Sequence, residues 1–195
     1  MKKAYILIAD GFEETEAIGT WDALRRGGVD ARFVTINSTP AVEGAHGLKF
    51  TADHTLAEVS KSSEKVDAIA LPGGLGNAER LKASKEARVY LQAYYDDRKV
   101  VGAMCASPMV LGDMGLLEGK KATIYPGMEA ELKGAEHHNA EAYIDGNVIT
   151  GRGPVYGLAF GVAILSKLEG EEKAREVASG LLLHEKGVET LPFLK

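Results

Sequence analysis

The sequence predicts a three-layer α/β sandwich with a mainly parallel sheet, and three observations predict it. Short β-branched or aliphatic runs recur along the chain with helical stretches between them, the alternation that builds a parallel sheet. Several runs, such as Ala4–Ala9 and Asp67–Leu71, are apolar on both pleat faces, as helices on both sides of a sheet require. The 23 glycines against 6 prolines suit tight strand-to-helix turns rather than a Pro-rich or disordered segment.

The elements follow in order. Ala4–Ala9 is the first strand and Glu13–Gly27 the first helix, followed by a strand at Ala31–Ile36. Pro40, Gly44 and Gly47 then punctuate two short extended pieces, Ala41–Glu43 and Leu48–Thr51, which read as a small β excursion off the main sheet. The strand Val66–Leu71 leads into helices at Asn77–Leu81 and Lys85–Asp97, and the strand Lys99–Met104 into a helix at Ser107–Met114. Weaker strands at Ala122–Ile124 and Asn147–Thr150 precede helices at Val155–Leu168 and Glu171–Glu185. No repeat, linker or low-complexity segment interrupts the pattern, so residues 1–195 are expected to form one domain.

Composition narrows the function classes. With 45% apolar residues the chain can build a core, and 23 Lys+Arg against 28 Asp+Glu leave a net charge of −5. No basic surface exists in bulk to neutralise a phosphate backbone, so nucleic acid is not an expected partner. The one cysteine, Cys105, excludes an intramolecular disulfide and a multi-thiolate metal site, and fits a reducing compartment. The run Ala4–Ala9 is shorter than a secretory core and Tyr156–Leu165 is shorter than a membrane span. A soluble cytoplasmic protein without a membrane partner is expected.

Ligands of open α/β sheets collect at the carboxyl ends of the strands, which directs attention to Asp10–Glu16, Leu71–Gly76 and Met104–Pro108. Cys105 stands where a buried strand stops and a helix begins, with the small residues Ala103 and Ser107 two positions to either side. This matches the mechanics of a nucleophile elbow, and a helix N-terminus there would lower the thiol pKa. The alternative is a buried structural cysteine. Leu71-Pro-Gly-Gly74-Leu-Gly76 is either a plain glycine-rich turn or a source of backbone donors opposite Cys105. A dinucleotide fingerprint does not fit, because Glu79 takes its third glycine position and Asp10, Glu13 and Glu14 crowd the first turn. No nicotinamide, flavin or other cofactor is expected.

Glu13, Glu14 and Glu16 sit at a helix N-terminus, where acids oppose the macrodipole. Glu16 is alternatively a carboxyl aimed at the strand ends, held neutral by burial near a thiolate. Arg25 reads as solvated, and Asp22 as a weak candidate to pair with Arg152. Among His46, His54, His137, His138 and His184, the pair after Glu136 lacks a partner at ligand spacing, so no metal is assigned.

Taken together, Glu13-Glu-Thr-Glu16, Leu71-Pro-Gly-Gly74, Ala103-Met-Cys105-Ala-Ser-Pro108 and Thr150-Gly-Arg152-Gly-Pro154 resemble the ThiJ/PfpI superfamily, and within it the parkinsonism-associated deglycase-like branch. The resemblance runs from about residue 3 to about residue 185. It implies a flavodoxin-like sandwich, usually homodimeric, with Cys105 reactive, Glu16 hydrogen-bonded to it, and Gly74 and Ala106 as backbone donors. It also implies a polar cluster of Asp22, Arg26 and Arg152 near the site and the dimer contact. Ala106 follows the cysteine where the intracellular-protease branch has histidine, so a dyad of that kind cannot form. Tyr125 stands where the deglycase-like branch has a histidine, and His46 where relatives often have arginine. A phenol donates a proton but is a poor general base at neutral pH.

Two function classes follow. One is a cofactor-free enzyme acting on a small reactive carbonyl such as methylglyoxal or its adducts, with Cys105 as nucleophile, Glu16 as proton shuttle and Tyr125 as an assisting donor. The other is a non-enzymatic redox-sensing, stress-protective or chaperone role through oxidation of Cys105. A domain with a vestigial elbow that binds a partner is a third possibility.

Overall fold

A computed structural model of the chain describes residues 1–183. In chain order its elements are β1 (Lys3–Ile8), α1 (Glu14–Arg26), β2 (Asp30–Thr35), β3 (Ala41–Glu43), β4 (Lys49–Thr51) and β5 (His54–Thr55). Next come α2 (Leu56–Val59), β6 (Ala68–Leu71), α3 (Leu75–Ala83), α4 (Lys85–Asp96), β7 (Val100–Met104), α5 (Pro108–Asp113) and β8 (Lys121–Ala122). The described chain ends with β9 (Glu136–His137), β10 (Ala142–Asp145), β11 (Val148–Gly151), α6 (Gly157–Glu169) and α7 (Glu171–Gly180).

Seven strands form the central sheet in the order β10-β11-β7-β6-β1-β2-β5. Every neighbouring pair is parallel except β10 with β11. The fold is the three-layer sandwich that the strand-helix alternation predicts, with the flavodoxin-like form that the resemblance implies. Alternate residues of β1 feed opposite layers: Ala4, Ile6 and Ile8 pack with α1, α6 and α7, while Tyr5 and Leu7 pack with α2 to α5. That division explains why the run is apolar at every position.

The chain leaves β1 for β2 on one side and returns to β6 on the other. The sheet therefore has its switch point between β1 and β6, and the loops after those strands diverge around a crevice. β7 lies next to β6 with Leu71 opposite Ala103, which brings the Gly-Gly loop level with Cys105.

α1 carries Glu14 and Glu16 in its first turn and Arg25 and Arg26 in its last, both favourable to the helix dipole. Its placement depends on α6. A Cβ on Gly161 would stand 2.7 Å from the Ala23 Cβ and 2.9 Å from the Thr20 carbonyl oxygen. The two helices thus meet nearly backbone to backbone, while Phe160, Ile164 and Leu165 fill the space under them.

Some expectations are corrected. The run Ala122–Ile124 does not join the main sheet: Lys121 and Ala122 pair with Glu136 and His137 in a separate two-stranded ladder. The segment from Val155 opens with a short 3₁₀ turn, and the helix proper starts at Gly157. The predicted helix Glu171–Glu185 is present to Gly180, and its last two residues lie outside the described residues, as does His184. The excursion at Ala41–Glu43 and Lys49–Thr51 is an antiparallel pair. No described helix is long and apolar enough to cross a membrane.

Gly161→Ala is expected to destabilise the chain by about 1–3 kcal/mol, because a methyl there must displace backbone rather than a flexible side chain. Chemical denaturation at constant m-value measures it; an unchanged midpoint would show that the helices have room to separate.

Candidate active site

Three strand ends supply the site. The end of β7 puts Cys105 in the left-handed region at φ +58°, a conformation that costs a non-glycine residue roughly 1–3 kcal/mol. Its peptide groups are held on both sides: its N–H donates to the Gly151 carbonyl at 2.9 Å, and its carbonyl accepts from Tyr125 N–H at 3.0 Å. The strained backbone turns the side chain away from the sheet toward the crevice, as an elbow does. The N–H groups of Gly74 and Ala106 face the sulfur.

The turn after β1 supplies Glu16. Glu13 caps α1 by accepting the Glu16 N–H on its side chain at 2.7 Å, which orients the first turn. The Glu16 side chain is wholly buried and faces the Cys105 thiol. Its Oε2 accepts the Gly73 N–H at 2.6 Å, and Oε1 has no hydrogen-bond partner among the described residues. Burial pushes the carboxyl up to about 7, against the opposing pull of the Cys105 thiol and the Gly73 N–H. Burial first, and the adjacent carboxylate second, push the thiol up to about 12.

This reverses the expected direction for Cys105. The helix that follows is only six residues long, and its dipole does not outweigh burial beside a carboxyl. The resting pair is therefore a protonated thiol facing a carboxyl that titrates near neutrality.

The end of β6 supplies the loop between them, and here the sequence reading missed most. A Cβ on Gly73 would stand 2.4 Å from the Cys105 Cβ and 2.7 Å from Glu16 Oε2, so only glycine lets the acid and thiol meet across it. Asn77, fully buried, accepts the Ala9 N–H at 2.7 Å and donates to the Pro72 carbonyl at 2.8 Å. Ser107 Oγ donates to the same carbonyl at 2.6 Å. Polar residues just after two buried strands were the available signal for Asn77 and Ser107.

The other predicted residues fall into separate places. Asp22 pairs with Arg26 across one helical turn at 2.8 Å rather than with Arg152, because the (i, i+4) spacing puts the two on one face of α1. Arg26 is ten positions beyond Glu16 and so roughly 15 Å further along the helix. Asp22 also lines an apolar groove with Ile18, Val155 and Leu158. Arg25 is not simply solvated; it reaches Asp30 at 3.0 Å while half exposed. Arg152 lines a small cavity of about 170 Å³ with Ile124, Glu129, His137 and Asn139. Tyr125 touches the elbow through its backbone, and its ring is half exposed beside Gly153.

The histidines after Glu136 are exposed or partly so, and His138 reaches Glu136 at 3.0 Å. Among the described residues, Glu13, Glu14 and His46 place potential metal-binding atoms within 4.8 Å of one another. Their present contacts already account for them: Glu14 accepts from His46 N–H and contacts its Nδ1, both at 2.7 Å. These bonds fasten the β3–β4 hairpin over the start of α1.

Comparison with known proteins agrees with this architecture. The sequence model of the DJ-1/PfpI family matches residues 2–167. Protein DJ-1 homolog A of Arabidopsis thaliana is 37% identical over 98% of this chain and 49% of its own length. The chain thus spans about half of that plant relative. Protein dj-1beta of Drosophila melanogaster is 35% identical over 93% of this chain and 97% of its own. Among solved structures, oxidized DJ-1 of Toxoplasma gondii superposes with a TM-score of 0.89 at 30% identity, covering 95% of this chain and 100% of that one. With its fold, elbow and carboxyl-bearing first turn in place, this chain belongs to the DJ-1/PfpI family.

Proposed function

We propose that the chain is a cofactor-free enzyme of the glyoxalase or deglycase type, acting on methylglyoxal or its adducts. The observation that carries this reading is the buried Glu16 carboxyl facing a thiol that two backbone N–H groups also face. A carboxyl that titrates near 7 is matched to moving protons at neutral pH.

The Cys105 sulfur adds to the aldehyde carbon as its proton passes to the Glu16 carboxylate. The carbonyl oxygen takes up the charge of the broken π bond, and the Gly74 and Ala106 N–H groups stabilise it until it is protonated. Having passed the thiol's proton to that oxygen, the Glu16 carboxylate takes the proton from the aldehyde-derived carbon and returns it to the neighbouring carbonyl carbon, while the new hydroxyl proton moves to the neighbouring oxygen, leaving a lactoyl thioester. Water cleaves the C–S bond, releasing lactate and returning the proton to sulfur. The sum is methylglyoxal plus water to lactate, with no external oxidant. Tyr125 contributes as a secondary donor from its half-exposed position.

A redox reading has its own support, since a relative with the same fold was solved in an oxidized form. In it Cys105 is oxidised by two equivalents of peroxide to the sulfinic acid, with two waters formed, and Glu16 hydrogen-bonds the product.

Turnover of methylglyoxal to lactate is expected to vanish in Cys105→Ser, to fall by about 10²-fold or more in Glu16→Gln, and to fall less than about tenfold in Tyr125→Phe. Robust turnover by the first two variants overturns the enzymatic reading. Because Glu16 accepts the proton only when ionised, the rate at low substrate rises with pH through about 7. A rate flat between pH 5 and 9 contradicts the role of Glu16. Mass spectrometry after mild peroxide treatment reads the redox alternative: a clean two-oxygen adduct on Cys105 supports it, and an inert thiol ends it.

A further inference from the structure

We propose that Asn77 and Ser107 are positioning residues that lock the Pro72–Gly73 peptide and thereby aim its N–H at Glu16. This deepens the enzymatic reading and rests on Glu16 being the proton acceptor.

The argument starts from the geometry of one peptide plane. A trans peptide points its carbonyl and its N–H in opposite directions, and no cis bond occurs among the described residues. Fixing the Pro72 oxygen therefore fixes the direction of the Gly73 N–H. Two buried donors hold that oxygen: Asn77 Nδ2 at 2.8 Å and Ser107 Oγ at 2.6 Å. On the far side of the same plane, the Gly73 N–H meets Glu16 Oε2 at 2.6 Å.

The clamp also spans the site. Asn77 stands in the first turn of α3 and its Oδ1 holds the Ala9 N–H, at the end of β1. Ser107 follows Cys105 at the end of β7. One carbonyl thus ties together the three strand ends that carry Glu16, the Gly-Gly loop and Cys105. A glycine-containing loop has the conformational freedom to rotate this peptide, and a rotated plane would present an oxygen to the carboxylate in place of a donor.

The N–H bond favours the ionised form of Glu16. The titratable groups facing Glu16 are Cys105, at the end of β7, and Glu13, in the cap of its own helix. On α6, Gly157 packs against the Glu16 backbone and carries no side chain to charge it. Neither Asn77 nor Ser107 carries a charge, so their effect on Glu16 runs through the peptide plane.

The test is the pH profile of Cys105 alkylation by iodoacetamide on the full chain, with thermal unfolding of each variant alongside. In Ser107→Ala and Asn77→Ala the midpoint is expected to move up by about one pH unit, the size of a lost charge-assisted hydrogen bond. Ser107→Thr keeps the hydroxyl and restores the wild-type midpoint. Should Asn77→Ala not fold, Ser107→Ala together with Ser107→Thr carries the test. Folded variants with lowered unfolding temperature and an unmoved midpoint overturn the proposal in favour of a purely structural role. A wild-type profile without a rise near pH 7, or one that Glu16→Gln leaves unchanged, overturns instead the reading on which it rests.

Discussion

The burial of one acid against another, the Glu16 carboxyl facing the Cys105 thiol, is the constraint to which the strand ends are built. Two acids of unlike strength are kept from water and within reach of each other. Ionising either one there is costly, and ionising both is costlier. The carboxyl, raised from its ordinary value to about 7, is neutral in acid and charged in base. Its sign is opposite to that of a salt-bridged acid. Stability is fully present below the ordinary carboxylate range and is lost as pH rises through about 7, by roughly 3 kcal/mol if the unfolded chain titrates normally.

That expense falls on the sandwich. Two apolar layers, one with α1 and α6 and the other with α2 to α5, cover both faces of a sheet whose central strands are wholly buried. Each large side chain taken fully from water contributes about 1.5–3 kcal/mol, so a few of them offset both the buried acid and the left-handed turn at Cys105. The strained turn lies one residue beyond β7, and the buried carboxyl in the first turn of the helix after β1, where the parallel ladders stop but the backbone is still anchored. The candidate site lies at the margin of the most deeply buried strands.

Much of this was legible in the sequence. Alternating apolar runs announce the layers because burial on both faces leaves no polar position in a strand, as β1, β6 and β7 show. Cys105 was visible because it follows β7 directly, and Glu16 because it falls in the first turn of the helix after β1. What escaped depends on partners far apart in sequence. The thiol's pKa direction is set by burial and by a carboxyl 89 positions away, and a local helix dipole misled. The Pro72 carbonyl draws its donors from the starts of two different helices, which no periodicity records. β5 and β9 have two residues each, too few for an alternating pattern to register.

The pinned backbone at Cys105 has one more consequence. With its N–H held by Gly151 and its carbonyl by Tyr125, the elbow cannot swing to accommodate whatever becomes attached to sulfur. Gly73 and Glu16 crowd the same atom from the other side. A group bonded to that sulfur would have to fit among these anchored neighbours, where a single small atom needs less displacement of backbone than a branched one.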